Sequence, residues 1–129
     1  MFVTQPQYFP YALMGARGFW STSAFMGPWP LLALRDAMEA GDYERARAIL
    51  RDLSPTAPTG VGDGEAATDY ARKVATKYAG YCDLGPNRPP FMEIRPESME
   101  RAIKQAEHWK ELCAQYRPQV EKKTAVAVG

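Results

Sequence analysis

The sequence predicts an α/β chain that is itself mostly α-helical, with one or two short strands followed by four helices. Three observations support this prediction. Eleven prolines, well above the usual share of about 5%, are spread along the 129 residues and separate one element from the next. Aromatic and β-capable residues cluster near the N-terminus, at residues 17–22. From Gly27 onward, apolar residues recur with the period of an amphipathic helix.

The N-terminal region supplies the β-structure. Residues 2–4 are a short β-leaning start, residues 7–14 predict one or two helical turns, and residues 17–22 predict a strand. A single strand leaves its backbone donors and acceptors without partners, and no other segment resembles a convincing partner strand. We therefore expect this strand to belong to a larger sheet, completed by another chain or by further strands of a larger protein.

Four amphipathic helices follow the strand, each with an apolar stripe that would face a core. They are predicted from Pro28 to Ala40, at residues 43–53, from residue 63 or 64 to residue 78, and from Pro96 to Pro118. The predicted core residues are Leu31, Leu32, Ala33, Leu34, Ala37 and Met38; Tyr43, Ala46, Leu50 and Leu53; Ala67, Tyr70, Ala71, Val74 and Tyr78; and Met99, Ala102, Ile103, Ala106, Cys113 and Tyr116.

Glycine, proline and one aspartate separate these helices. Gly41 is suited to the position after a helix, and Asp42 to the N-cap of the next one. Residues 55–62 and 82–95 predict loops, and Pro118 predicts the end of the last helix with a frayed tail beyond it.

Composition excludes several classes of function. Sixteen basic and fifteen acidic side chains give a formal charge of +1, which argues against a nucleic-acid-binding protein. No apolar run approaches the roughly 18–20 residues of a membrane span, and the N-terminus has no pattern of a secretory signal. Two cysteines form neither a disulfide scaffold nor a ligand cluster. These features predict a cytoplasmic protein that binds neither nucleic acid nor membrane.

Several segments resemble a known enzyme superfamily. The sequence YFPYALMGARGFWST at residues 8–22 looks like the passage from the seventh helix to the eighth strand in the dihydrodipicolinate synthase and N-acetylneuraminate lyase superfamily. AGDYERAR at residues 40–47 resembles a break between two helices beyond the barrel, and RPP at residues 88–90 resembles a loop before the final helix. GFWS at residues 18–21 with FMGP at residues 25–28 is most similar to the hydratase-aldolases of aromatic degradation, of the trans-o-hydroxybenzylidenepyruvate hydratase-aldolase type.

The resemblance covers residues 2–118 and implies the C-terminal fragment of a (β/α)8 TIM barrel, from the region of strands seven and eight, with appended C-terminal helices. It places the end of the barrel at residues 1–40, a helical extension at residues 41–118 and a flexible tail at residues 119–129. Its implied partners are a missing N-terminal barrel segment, on a separate chain or outside these residues, further copies of the chain in a homo-oligomer, and a small-molecule substrate.

The resemblance also implies a reaction. The whole enzyme would be a pyruvate-dependent, Schiff-base-forming class I lyase, which cleaves or forms aryl-substituted 2-oxobut-3-enoates to or from pyruvate and an aromatic aldehyde. In the family the reactive lysine lies on strand six, outside the matching segment. We therefore expect this chain alone to be inactive and to supply no catalytic residue, metal ligand or cofactor site. The lysines present are predicted on solvated surfaces: Lys73, Lys77, Lys104, Lys110, Lys122 and Lys123.

Four residues are candidates for substrate binding. The resemblance places Trp20 at the mouth of the barrel against the aromatic part of the substrate, whereas an ordinary strand tryptophan would be buried between strand and helix. Ser21 and Thr22 would either donate hydrogen bonds at the strand end or cap the next element. Asn87 would either reach the mouth of the barrel or stabilise a turn through its side chain. Met26 replaces an asparagine that many superfamily members carry, which favours a hydrophobic pocket that accepts an aromatic group.

Other residues fit structural roles. His108 has no second ligand at a spacing typical of metal sites. Cys82 and Cys113 are expected to be small buried hydrophobic residues. The glycine-rich residues 60–64 lack the Lys and Ser/Thr of a phosphate-binding loop and predict a flexible connection.

A second hypothesis is a non-catalytic helical module that assembles with copies of itself. It rests on the four well-separated helices, which could bury a core without any barrel. It predicts a stable homo-oligomer in which residues 2–22 are disordered or helical.

Overall fold

The N-terminal region folds as a strand, a short helix and a second strand. In the computed structural model, which describes residues 2–54, 64–89 and 93–128, strand β1 (Phe2–Thr4) lies parallel to strand β2 (Gly18–Trp20). The prediction that no other segment pairs with this strand is therefore wrong, because the short N-terminal segment does so. The register pairs Phe2 with Gly18, Val3 with Phe19 and Thr4 with Trp20.

Helix α1 (Tyr8–Leu13) connects the two strands and packs on the sheet they form. Tyr8 is buried, and its ring lies 4.4 Å from that of Phe19, measured between centroids. A sheet of two strands is marginal by itself, and within the described residues no third strand extends either edge. Phe2 is accordingly 78% exposed.

Four helices follow: α2 (Trp29–Glu39), α3 (Tyr43–Leu53), α4 (Gly64–Ala79) and α5 (Pro96–Val128). The limits predicted for α3 are confirmed, because both predicted signals operate. Gly41 has a positive φ of 72°, which only glycine adopts without strain, and Asp42 Oδ1 accepts a hydrogen bond of 3.1 Å from the backbone N–H of Arg45. The predicted loop at residues 55–62 lies outside the described residues, as do residues 60–63 of the glycine-rich segment.

Helix α5 does not end where the sequence predicts. It continues through Pro118 to Val128, so the prediction of a helix stop at Pro118 is wrong, whereas the flexible tail at residues 119–129 stays a prediction. A proline inside a helix removes one hydrogen bond and costs about 3 kcal/mol. Contacts with α2 beyond the proline offset this cost, because Val120 is buried and Lys123 Nζ lies 3.5 Å from Asp36 Oδ1. No helix of the described residues is long and apolar enough to cross a bilayer.

The core lies where α2, α3 and α5 meet, and α4 packs along α5. Most of the predicted core residues of α2 are buried, but Tyr43 and Tyr78 are exposed instead. The predicted stripes missed several buried apolar residues, among them Ile49, Ala75, Trp109, Leu112 and Val120. Among the described residues Trp109 is the largest completely buried side chain, and α5, which carries it, packs against both α2 and α4.

A polar contact joins α3 to α5. The Tyr116 hydroxyl donates a hydrogen bond of 2.6 Å to Asp52 Oδ2, and His108 Nε2 lies 3.0 Å from the Asp52 carbonyl oxygen. Burial raises the pKa of Tyr116 above its ordinary value, and the hydrogen bond and charge of Asp52 raise it further.

We expect Tyr116→Phe to lower the free energy of unfolding by about 1–2 kcal/mol, since Asp52 loses its hydroxyl partner. The raised pKa adds a pH dependence. Below the tyrosine pKa of the unfolded chain, about 10, the neutral phenol is present in both states and its contribution is complete. Above that pH only the unfolded state loses the proton, so stability falls as pH rises. Urea unfolding at pH 8 and pH 11 tests this.

In Tyr116→Phe the alkaline loss of stability should be smaller than in the parent chain. Tyr81→Phe, which changes an exposed tyrosine outside this contact, is the control variant. An equal alkaline slope in the parent chain and Tyr116→Phe would contradict the assignment.

Candidate functional site

The carboxyl ends of the two strands form one polar edge. Because β1 and β2 are parallel, the segments that leave them emerge side by side. Ser21 Oγ donates a hydrogen bond of 2.8 Å to Gln5 Oε1, which ties these segments together, and Thr4 Oγ1 donates one of 3.0 Å to Gln7 Oε1. In sheets with parallel strands, ligands bind outside the carboxyl ends. This edge is therefore the candidate site.

Trp20 is the last residue of β2 and projects from this edge. Its side chain is 61% exposed, so the alternative of a tryptophan buried between strand and helix does not apply to it. Trp20 and Ser21 line a cavity of about 450 Å³ whose other walls include Arg17, Leu32 and Arg35. Arg35 is engaged with Asp36, at 2.6 Å. An open indole beside an arginine-lined cavity can stack on a planar group and donate its N–H.

Ser21 and Thr22 differ in their surroundings. Ser21 caps the 3-10 helix Thr22–Met26 by accepting a hydrogen bond of 3.2 Å from the Ser23 backbone N–H. Of the two roles expected for Ser21, capping of the next element is thus present. The same hydroxyl donates its hydrogen bond to Gln5. Thr22 lines a different cleft, between the 3-10 helix and α4.

Asn87 is absent from both cavities described above. It is half-buried in the segment between α4 and α5. The structure thus places Trp20 and Ser21 on one cavity, Thr22 on a second and Asn87 on neither. Substrate binding by any of the four stays a prediction.

Helix α5 and Cys82 hold the 3-10 helix in place. Trp109 Nε1 donates a buried hydrogen bond of 2.9 Å to the Gly27 carbonyl oxygen, and Cys82 Sγ lies 3.2 Å from that of Phe25. Cys113 Sγ lies 3.9 Å from the Met26 carbonyl oxygen, and burial raises the pKa of its thiol to about 11. A thiol with a raised pKa is a poor nucleophile, in line with the packing role predicted for Cys113.

Trp109 was not selected as a functional or core residue from the sequence, although it fixes the segment that carries the site. The available signal was spacing. Ala102, Ala106, Trp109, Cys113, Tyr116 and Val120 follow one another at alternating intervals of four and three residues, the heptad seam of a packed helix. Within the described residues, no group of His, Cys, Asp and Glu side chains could hold a metal ion.

The six lysine side chains were predicted on solvated surfaces. Five of the six are exposed, and the half-buried Lys73 donates a hydrogen bond of 2.8 Å to the carbonyl oxygen of Pro86. Met26, the last residue of the 3-10 helix, is buried.

Comparison with known proteins identifies relatives, although no protein-family profile matches the chain. It is 32% identical over 107 residues to trans-O-hydroxybenzylidenepyruvate hydratase-aldolase of Pseudomonas aeruginosa, a match that covers 76% of this chain and 32% of the relative. The enzyme of that name from Sphingobium xenophagum is 31% identical over 103 residues, 73% of this chain and 31% of the relative. The 4-hydroxy-tetrahydrodipicolinate synthase of Corynebacterium urealyticum is 32% identical over 96 residues, 74% of this chain and 31% of the relative.

A solved structure has a similar fold. The structure titled "PhdJ bound to substrate intermediate" superposes with a TM-score of 0.71 over 85% of this chain and 36% of that chain, at 21% sequence identity. At this identity the likeness concerns the fold alone. The chain spans about a third of the length of the curated relatives it matches.

Proposed function

We propose a function on the premise that this chain belongs to the dihydrodipicolinate synthase and N-acetylneuraminate lyase superfamily, where its relatives include hydratase-aldolases of aromatic degradation. The chain supplies the last strands and the appended helices of such a lyase. The single observation that carries this proposal is the β1–α1–β2 unit, in which two parallel strands end together beside the exposed Trp20. That arrangement is the repeating unit of a barrel whose active site opens at the carboxyl ends of its strands.

In the proposed reaction, an aryl-substituted 2-oxobut-3-enoate takes up one water and yields pyruvate and an aromatic aldehyde. A lysine amine outside these residues condenses with the 2-oxo group, and the iminium accepts the electron pair released when the carbon–carbon bond breaks. Water first adds across the alkene, with its hydroxyl on the carbon that bears the aryl group. After cleavage, the enamine takes up a proton and the iminium is hydrolysed to pyruvate. The reverse sequence forms the same bond.

Trp20 provides the wall for the aromatic part of the substrate in this proposal. Its indole lies at the strand ends with more than half of its surface open, and Arg17 brings positive charge to the same cavity, whereas the charge of Arg35 is paired with Asp36. Stacking on the indole would position the aryl group, while Ser21 fixes the loop through Gln5. These residues orient the substrate rather than carry out a chemical step.

The remaining strands would join at the sheet edges. Closing a barrel takes eight strands, whereas the described residues contain two. Around these strands several apolar side chains are exposed: Phe2, Leu13 and Met14. We infer that preceding strands and helices of the barrel cover this surface, and that the appended helices join subunits into a homo-oligomer.

Co-expression tests the proposal. The 129-residue chain is produced together with a segment of the Pseudomonas aeruginosa relative that carries its first six strands, and the purified pair is treated with pyruvate and borohydride. We expect a covalent pyruvate adduct on the relative's segment only when both chains are present. Absence of the adduct from a correctly folded pair would refute the proposal, as would a stable homo-oligomer of this chain that never binds the segment.

In that reconstituted enzyme, we expect Trp20→Ala to lower kcat/KM for an aryl-substituted 2-oxobut-3-enoate by about tenfold, the effect of losing roughly 1–1.5 kcal/mol of aromatic contact. Pyruvate trapping should be unchanged, since the lysine lies elsewhere. Tyr81→Ala removes another exposed aromatic side chain, one that does not line the cavity of Trp20, and is the matched control. An equal loss in both variants would contradict the role of Trp20.

A further inference from the structure

A second cleft lies behind the strand ends, between the 3-10 helix Thr22–Met26, α4 and α5. It has a volume of about 290 Å³ and is called here the α4 cleft, since Asp69, Arg72, Lys73 and Thr76 of that helix form one wall. Gln105 of α5 closes one side of it. The residues that line the cavity of Trp20 do not line the α4 cleft, so the two are separate sites.

The charge of the cleft is positive among the described residues. Arg72 Nη1 donates a hydrogen bond of 2.9 Å to Asp69 Oδ1, which pairs one cation with one anion. Lys73 Nζ donates to the uncharged carbonyl oxygen of Pro86, and the described ion pairs include none for Lys73. One positive charge is therefore left over, and an ammonium group with three donors can hold a further acceptor.

Arg72 also has a donor without a partner. Its Nε is buried and makes no hydrogen bond among the described residues. A buried unpaired donor costs about 1–3 kcal/mol, so a ligand acceptor that reached it after a shift of the Arg72 side chain would recover part of that cost. A carboxylate matches this need, because its two oxygens fit the fork of a guanidinium.

The other walls combine hydroxyl groups with apolar side chains. Ser23 and Thr76 are buried at 9% and 2% exposure and bring hydroxyl oxygens to the cleft. Phe25 and Leu84 are partly exposed on the opposite side and, with the buried Met26, offer apolar surface. A fully polar anion would leave that surface in water, whereas a ligand with an apolar body would cover it.

We propose that the α4 cleft binds a small organic carboxylate with an apolar body. The carboxylate accepts hydrogen bonds from Arg72 and Lys73, and the body lies against Phe25 and Leu84. The cleft volume, at the lower end of small-molecule sites, suits a single ring or short chain. The proposed lyase reaction plays no part in this inference, because none of the lining residues of the α4 cleft lines the cavity of Trp20.

Titration calorimetry on the purified 129-residue chain tests the proposal, with benzoate as the probe. We expect saturable binding at one site, weakened about tenfold or more in Arg72→Gln, where tenfold corresponds to about 1.4 kcal/mol. Lys73→Gln, which removes the unpaired charge, should weaken binding to a similar degree and serves if Arg72→Gln does not fold. Lys104→Gln removes an exposed cation of α5 outside the cleft and should leave the affinity unchanged.

Two further probes separate the chemical features. Benzamide has the same ring without the charge, and inorganic phosphate has charge without an apolar body. Binding of benzamide as tight as that of benzoate, or of phosphate as tight as that of benzoate, would overturn the proposal. An equal loss in Lys104→Gln or an absence of saturable benzoate binding would do so as well. Because no barrel segment is present, failure here leaves the pyruvate-trapping experiment unaffected.

Discussion

Trp109→Ala should lower the free energy of unfolding by about 3–5 kcal/mol, the range observed for buried aromatic residues cut back to alanine. The side chain is completely buried at the centre of the core. Its removal also leaves the Gly27 carbonyl oxygen without the indole donor at 2.9 Å. Urea unfolding followed by circular dichroism measures the loss, and the midpoint should move while the slope stays constant.

Two variants separate the causes. Trp109→Phe keeps most of the apolar volume and removes the hydrogen bond, so we expect an intermediate loss of about 1–3 kcal/mol from the unpaired carbonyl oxygen. Trp20→Ala removes a tryptophan that is 61% exposed and should change stability by only about 0.5 kcal/mol. A loss in Trp20→Ala as large as that in Trp109→Ala would contradict the assignment of one residue to the site and the other to the core.

Local signals in the sequence were sufficient for some elements. Helix α3 could be predicted because its start and end depend on neighbouring residues, the left-handed Gly41 and the capping Asp42. The end of α5 could not be, because the local preference of Pro118 is outweighed by distant contacts such as that of Lys123 with Asp36. The β character of residues 2–4 was predicted, but their pairing with Gly18–Trp20 was not, because no local signal in three residues indicates a distant partner strand.

Of the two cavities, the sequence indicated the one beside Trp20 but not the α4 cleft. Trp20 was found from a resemblance carried by contiguous residues, and its exposure agrees with an open position at the strand end. The α4 cleft could not be found, because Thr22, Arg72, Leu84 and Gln105 come from segments far apart in the chain. Only the packing of α4 against α5 and the 3-10 helix brings these side chains together.

Gly27→Ala should be nearly as destabilising as the loss of Trp109, by about 2–5 kcal/mol. Gly27 has φ of 127°, a region that other residues enter at a cost of about 1–3 kcal/mol. An added Cβ would also lie 2.7 Å from Cys113 Sγ, closer than real contacts permit. Overpacking of this kind costs about 1–3 kcal/mol. Thermal and urea unfolding of the purified variant measure the sum of the two effects.

Two further substitutions, Gly41→Ala and Cys113→Ala, separate the backbone cost of Gly27→Ala from its overpacking cost. Gly41 also has positive φ, at 72°, but nothing lies within 4 Å of an added Cβ, so its replacement shows the backbone cost alone, about 1–2 kcal/mol. The double variant Gly27→Ala/Cys113→Ala lacks the sulfur that the new Cβ meets. We expect it to lose about 1–2 kcal/mol less stability than the sum of the losses in the two single variants. Strict additivity would mean that the sulfur does not limit this position. A recovery seen only in the double variant would place the clash between Gly27 and Cys113 of α5. Trp109 of the same helix holds this segment, between the strand end and α2, through the Gly27 carbonyl oxygen.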